Sequence, residues 1–299
     1  MEVLRAESLA GLPWLVHGFS TRTGGFSAAY GGHALNLGYT PSDDRASVDK
    51  NRATFYAAVG GNEEWQAVGV NQIHSDLIYI VSADAETAGP LISPQGKLRR
   101  GDGLVTAEPG VLLTIRVADC VPVLLADPKQ RIVAAFHAGW RGTVKRIVEK
   151  GVGSMRAFFG SDPRDLRVAI GPCIHQCCYA VGDEVLDAFE SQFAYANELV
   201  REVYDSDPIK KKYPMLFLTA RAPGHSPIGP QQHLDLVEAN RRQLLDAGVA
   251  PEHITASELC TSCRTDLLFS HRAEAGYTGR MMAAIGVVAE PRQRSSRRR

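Results

Sequence analysis

The spacing of apolar residues changes along the chain, and each change marks an element. From Ala46 to Val59 the residues Val48, Ala53, Phe55, Tyr56 and Val59 recur at helical spacing, with Asp43 or Asp44 placed as a cap and Gly60-Gly61 as a stop. Short aliphatic and β-branched runs follow at Leu77 to Val81, Leu104 to Thr106, Val111 to Val117, Val121 to Leu125 and Ile132 to Phe136. Asp, Pro and Gly separate them, which predicts strands. Gly142 to Phe159 has the period of one amphipathic helix, and Leu166 to Ile170 reads as another buried strand. Asp183 to Phe193 and Leu236 to Ala247 read as helices, and Met281 to Val288 as a final strand.

The strands between 77 and 136 leave no room for the crossover helices of a parallel sheet. The pattern therefore predicts an α+β fold of packed mixed or antiparallel sheets flanked by helices, not a doubly wound one. Residues 202–232 are rich in Lys, Pro, Gly and Gln, with Pro223-Gly-His-Ser-Pro and Gly229-Pro as turn signals, and read as a surface excursion. Polar chemistry lies on both sides of it, so residues 1–291 are expected to form a single domain.

Composition narrows the classes. At 299 residues with 44% hydrophobic and 22% charged, the chain can bury a large core, and neither disorder nor a disulfide miniprotein fits. Basic and acidic residues number 33 each, so no global charge draws it to nucleic acid or to an anionic membrane. The exception is the end, where Arg292, Arg294, Arg297, Arg298 and Arg299 predict a disordered basic tail over 292–299. The start, Met1-Glu-Val-Leu-Arg-Ala-Glu, lacks the basic region of a secretory leader. The most apolar stretch, Val111 to Ala126, contains Arg116, Asp119 and Pro122, unlike a membrane span. A cytoplasmic protein is expected, in which the six cysteines act as thiols or ligands.

Three segments place metal-competent side chains at strand ends: His74 in Asn71-Gln-Ile-His-Ser-Asp76, Cys120 in Arg116-Val-Ala-Asp-Cys-Val-Pro122, and His137 in Phe136-His-Ala-Gly-Trp-Arg-Gly142. One thiolate and two imidazoles suit zinc, and three protein ligands leave an open position for catalysis. Asp119, beside Cys120, is placed to orient a ligand histidine, and Gly139 and Gly142 leave backbone open to close approach.

These strings resemble the laccase-domain family, also called the polyphenol-oxidase or YfiH-type family. The likeness is carried by Gln72-Ile-His-Ser75, Asp102-Gly-Leu-Val-Thr106, Ala118-Asp-Cys-Val-Pro-Val123, His137-Ala-Gly-Trp-Arg-Gly142 and Ile170-Gly-Pro-Cys-Ile-His-Gln-Cys-Cys-Tyr179. Asn36-Leu-Gly38, Phe269-Ser270 and Thr278-Gly-Arg280 extend it nearly end to end. The chain departs from the pattern at His271, in the 202–232 excursion and in the tail. The resemblance implies one catalytic zinc on His74, Cys120 and His137. It further implies phosphorolysis of adenosine, inosine, guanosine and methylthioadenosine, together with adenosine deamination; some members are described as copper-dependent polyphenol oxidases.

Phosphorolysis needs cations for phosphate. Arg141, in a glycine-rich loop before a helix, is the first candidate, with Arg280 and Arg116 behind it. Asn36 and Gln72 are candidates for hydrogen bonds to ribose or base. Three other readings compete. Cys120 with His137 as base, supported by Asp119 or Asp102, would make a cysteine hydrolase. A single copper at the same ligands would make an oxidase, although none of the nine histidines lies two residues from another, as copper-cluster motifs require. A closed site completed by Cys173 or His175 would make a scaffold. The same two residues are the candidates to line the cleft. Cys177-Cys178 and Cys260-Thr-Ser-Cys263 supply four more thiols, but adjacent cysteines seldom share a metal, so buried thiols and turn residues are expected there. Monomer and homodimer remain equal expectations.

Overall fold

Alternation along two long strands sets the layering. In Val111–Val117 the side chains of Leu113, Ile115 and Val117 join one core and Leu112 another, and Met281–Val287 divides in the same way. A sheet that is apolar on both faces must be covered twice. The computed structural model, which describes residues 1–61, 64–82, 98–204 and 230–289, shows what covers it.

The first sheet has five strands, in the order Val3–Leu4, Leu15–Ser20, Met281–Val287, Val111–Val117 and Gln66–Val68. Phe55 and Val59 of the helix Arg45–Gly60 pack on its outer face against Leu112, Met282 and Ala284. The inner face meets a six-stranded sheet, ordered Ile254–Ala256, Arg167–Ile170, Val121–Asp127, Ile132–Ala138, Gly103–Thr106 and Ile78–Val81. Leu113, Ile115, Ala283 and Ile285 close that interface with Leu124, Ala126, Val133 and Ala135. The far side of the second sheet, through Val123, Leu125 and Phe136, is covered by Val152 and Met155 of helix Ile147–Phe159 and by Ala239 and Leu244 of helix Leu236–Asp246. The layers run helix, sheet, sheet, helix. Parallel pairs occur at Gln66–Val68 with Val111–Val117, Ile78–Val81 with Gly103–Thr106, and Arg167–Ile170 with Ile254–Ala256, so the α+β architecture is mixed.

Several boundaries differ from the sequence pattern. The span 142–159 is two helices, Trp140–Val144 and Ile147–Phe159, broken at Arg146, whose φ of 61° is left-handed. Leu15–Ser20 is a strand although Pro13 and His17 interrupt its apolar run. The ends of the 202–232 excursion are not surface loop: Val200–Tyr204 and Pro230–Leu234 pair antiparallel in a small sheet with Ala180–Val181. The rest of that excursion and the 292–299 tail lie outside the described residues. No helix among the described residues is long and apolar enough to cross a membrane.

The layering also places the chemistry. Val111–Val117 belongs to the first sheet and Val121–Asp127 to the second, so Ala118-Asp119-Cys120 crosses between them at their common rim.

Candidate metal centre

Register brings the three ligand candidates together. Pro122 pairs with His137 and Val121 with Ala138, which sets Cys120 beside the end of Ile132–Ala138. Gly103 pairs with Phe136, so the preceding Asp102 lies next to His137 and accepts its amide on the Asp102 carbonyl at 2.8 Å. His74 reaches the same point from the loop before Ile78–Val81. The donor atoms of His74, Cys120 and His137 all lie within 4.8 Å of one another, with Cys120 Sγ 3.7 Å from His74 Nε2.

Asp102 organises this cluster. Its fully buried carboxylate accepts from the amides of Ile73, His74 and Ser75, from the Ser75 hydroxyl at 2.6 Å, and from His137 Nδ1 at 2.8 Å. The bond to Nδ1 fixes the His137 ring and leaves Nε2 toward the sulfur. The amide of His74, a residue left-handed at φ 58°, is held by its own bond to the same carboxylate at 3.0 Å. Burial opposes the charge on Asp102, but the bonds from His137 and Ser75 outweigh it and hold the carboxyl down at about 2. Burial likewise opposes a Cys120 thiolate, yet the His137 charge and bonds from both imidazoles draw it down to about 6. His137 moves the opposite way, to about 9, as the Cys120 and Asp102 charges overcome its burial. Cys120 and His137 therefore pair as thiolate and imidazolium, and a cation bound at the cluster would displace the His137 Nε2 proton to meet one thiolate and two imidazole nitrogens.

Gly139 supplies the space. A Cβ there would lie 2.8 Å from His74 Cδ2 and 3.0 Å from Cys120 Sγ. Only a bare backbone leaves that cradle open. Gly142 does the same for the Ser75 carbonyl, which a Cβ would approach to 3.1 Å. Soft sulfur with two imidazole nitrogens fits a transition metal, and neither Cys173 nor His175 joins the set, so the described residues supply three ligands.

The cluster lines a cavity of about 580 Å³ together with Tyr39, Trp140, Tyr179, His271 and Arg272. Arg116 and Arg280 line it as well. Burial, then the neighbouring guanidinium groups of Arg52 and Arg280, lower the Arg116 pKa. Among the described residues none of these three arginines has a carboxylate partner; Arg116 donates to Gln72 and to the Val70 carbonyl, Arg280 to the carbonyls of Thr278 and Gly279, and Arg52 to that of Leu37.

Other expected site residues fall elsewhere. Arg141 does not line the cavity; its side chain lies over the Trp140 ring, 3.4 Å from Glu184. Asn36 is fully buried, its oxygen accepting from the amides of Gly38 and Arg280 and its nitrogen donating to Gly38 and Asp43. It holds Arg280 in place instead of facing a ligand, and Gly38 leaves room for the Arg280 stem, whose Cγ a Cβ would approach to 2.6 Å. Gln72 lines the cavity but bonds the Arg116 backbone at both ends of its amide. Asp119 accepts from Thr261 and from the Arg272 amide, each at 2.6 Å, so the carboxylate that orients a histidine is Asp102 and not Asp119. Cys173 and His175 do not line the cavity. Cys177 and Cys263 are exposed rather than buried.

With the site's geometry in view, the likeness to known proteins is specific. The chain belongs to the family described as multi-copper polyphenol oxidoreductase laccase, which it matches over residues 16–288. It is 35% identical over 274 residues to the purine nucleoside phosphorylase YlmD of Bacillus subtilis (strain 168), covering 91% of this chain and 88% of that one. Adenosine deaminase RL5, from an unknown prokaryotic organism, is 31% identical over 270 residues, covering 90% of this chain and 93% of RL5. The solved structure of YlmD from Geobacillus stearothermophilus superposes with a TM-score of 0.76 at 36% identity, covering 97% of both chains.

Proposed function

We propose that this chain is a zinc-dependent purine nucleoside phosphorylase, acting on adenosine, inosine, guanosine and methylthioadenosine, that also deaminates adenosine. The observation that carries the reading is one cavity lined both by the donor cluster of His74, Cys120 and His137 and by Arg116 and Arg280, which have no carboxylate partner among the described residues. Names borne by relatives such as YlmD and RL5 support the two reactions.

His74, Cys120 and His137 would hold the zinc. When bound, it supplies Lewis acidity and a lowered pKa for water at the open position. The remaining work belongs to the chain. Arg116 and Arg280 neutralise phosphate and set its oxygen in line with the anomeric carbon, where a carbon–oxygen bond forms as the bond to the purine nitrogen breaks. The leaving purine takes the proton that the attacking hydrogen phosphate gives up, so ribose 1-phosphate and the neutral base result. Tyr39, Trp140 and Tyr179 give the base flat surfaces and exclude water. Asp102 keeps the His137 proton on Nδ1, away from the ligand nitrogen.

The donor set argues against the multi-copper chemistry in the family description. Among the described residues only two groups of side chains can hold a metal, the pocket triad and a cluster of four cysteines, and neither contains the paired histidines of a copper cluster. The decisive experiment is to incubate metal-quantified protein with adenosine, with and without phosphate. Adenine with ribose 1-phosphate demonstrates phosphorolysis and inosine demonstrates deamination. If neither forms while a phenol is oxidised, the reading is wrong. Cys120→Ala is expected to lose both turnover and the pocket's zinc.

A further inference from the structure

Four thiols outside the cavity gather at one point. The Sγ atoms of Cys177, Cys178, Cys260 and Cys263 all lie within 4.8 Å of one another. Cys263 Sγ is 3.6 Å from that of Cys177 and 3.3 Å from that of Cys178. Zinc–sulfur bonds of about 2.3 Å in a tetrahedron place sulfurs about 3.8 Å apart, a few tenths of an ångström beyond the two Cys263 separations and inside the 4.8 Å that bounds the whole cluster.

Two turns present the sulfurs. Cys260-Thr-Ser-Cys263 is closed by the Arg264 amide on the Cys260 carbonyl at 3.0 Å. Cys260 Sγ accepts the His175 amide at 3.4 Å and those of Cys263 and Ser262, donors that favour a thiolate and lower this thiol despite its burial. In the other turn the Cys178 and Tyr179 amides both donate to the His175 carbonyl at 3.0 Å. That turn brings two adjacent sulfurs to the same partner, Cys263. Cys173 and Cys260 form a parallel bridge, with the Thr261 amide 2.9 Å from the Cys173 carbonyl, and so dock the turns together.

We propose that Cys177, Cys178, Cys260 and Cys263 bind one zinc ion as a structural tetrathiolate site, separate from the metal centre in the cavity. Binding converts thiols to thiolates, their protons pass to solvent, and no electron moves. Four protein ligands close the coordination sphere, so the ion acts as a staple rather than a catalyst. What it staples is the cavity wall. The Cys177-Cys178 turn carries Tyr179 and follows Ile174, both of which line the cavity, and Arg272, further along from the Cys260–Cys263 turn, lines it too and donates to the Ala180 carbonyl at 2.7 Å.

The test counts metal in the full chain, purified under reducing conditions and analysed by plasma mass spectrometry. The double variant Cys177→Ser/Cys263→Ser, altered only at exposed positions, is expected to contain one zinc fewer per chain than the wild type. Cys120→Ser reports the cavity separately, so failure of either metal assignment is distinguishable from failure of the other. The wild type gives a second readout: Cys177 and Cys263 are expected to resist alkylation until a strong chelator is added. An unchanged zinc count in the double variant, iron in place of zinc, or equal alkylation with and without chelator would overturn the proposal. A wild-type mass short by the hydrogens lost in a disulfide would do the same.

Discussion

His17 carries an imidazole into the strand Leu15–Ser20, where its Nε2 accepts the Ala6 amide at 2.9 Å and therefore must be unprotonated. Burial first, and then the Arg5 charge, lower its pKa from 6.5 to about 4. Between those values the unfolded chain takes up a proton that the folded chain refuses. The contribution is thus complete above pH 6.5 and shrinks as pH falls toward 4. At pH 5 the loss is about 2 kcal/mol. His17→Gln keeps an acceptor for the amide but does not titrate, so urea unfolding at pH 7 and pH 5 should show a smaller acid loss in the variant; an equal loss would refute the assignment. Asp102 is the other residue on which much depends. Asp102→Asn should weaken metal binding about 10- to 100-fold in chelator competition, since the ring it orients loses its anionic acceptor. The three metal-ligand candidates were legible in the sequence because each sits at a strand end in a dense polar string. Asp102 was harder to choose, because Asp119 is adjacent to Cys120 whereas Asp102 reaches His137 only through the pairing of Gly103 with Phe136. The position of Arg141 was hidden for a related reason: a glycine-rich loop does not say which way its side chain turns, and here it lies over Trp140, off the cavity lining.

At the scale of elements, periodicity located most of the long strands and helices because each buries a continuous apolar face. It merged the helices at 140–159 because their apolar period runs through the break at Arg146, and a left-handed residue leaves no mark in a hydropathy pattern. It missed Leu15–Ser20 because the strand's burial depends on partners at both ends of the chain, Val3–Leu4 and Met281–Val287. Helix Ile147–Phe159 also shows how packing overrides propensity. A Cβ at Gly151 would lie 2.2 Å from Phe136 Cζ, whereas one at Gly153 meets nothing within 4 Å. Alanine is favoured over glycine within a helix by about 1 kcal/mol. Gly153→Ala should therefore stabilise by about 0.5–1 kcal/mol. Gly151→Ala should destabilise by about 1–3 kcal/mol, because the helix must move off the sheet. Denaturant midpoints of the two variants should shift in opposite directions, and a shift of the same sign would contradict the close helix–sheet contact.

The whole molecule has no net formal charge, yet Arg116, Arg272 and Arg280 all line the cavity that holds the donor cluster. That grouping depends on both ends of the chain: Asn36 accepts the Arg280 amide across 244 positions, and Gln72 holds Arg116 from another loop. Only the assembled sheets bring Arg116 and Arg280 to one cavity, which is why sequence spacing ranked them behind Arg141. The guanidinium groups of Arg52 and Arg280 act on Arg116 to lower its pKa, and an anion beside Arg116 and Arg280 offsets that repulsion. Inorganic phosphate should therefore raise the melting temperature. At a hundredfold excess over Kd the stabilisation is about 2.7 kcal/mol, on the order of 5 °C for a chain of this size. Phosphate also stabilises proteins generally by exclusion from their surface, so the informative quantity is the difference between wild type and Arg116→Gln at equal phosphate. The variant should retain the general increment and lose the specific one, and its KM for phosphate should rise by at least tenfold with a smaller effect on nucleoside KM. The cavity is open to salt, so raising chloride at constant phosphate should narrow the wild-type advantage. Equal melting increments in the two proteins, together with an unchanged phosphate KM, would place the phosphate elsewhere on the molecule.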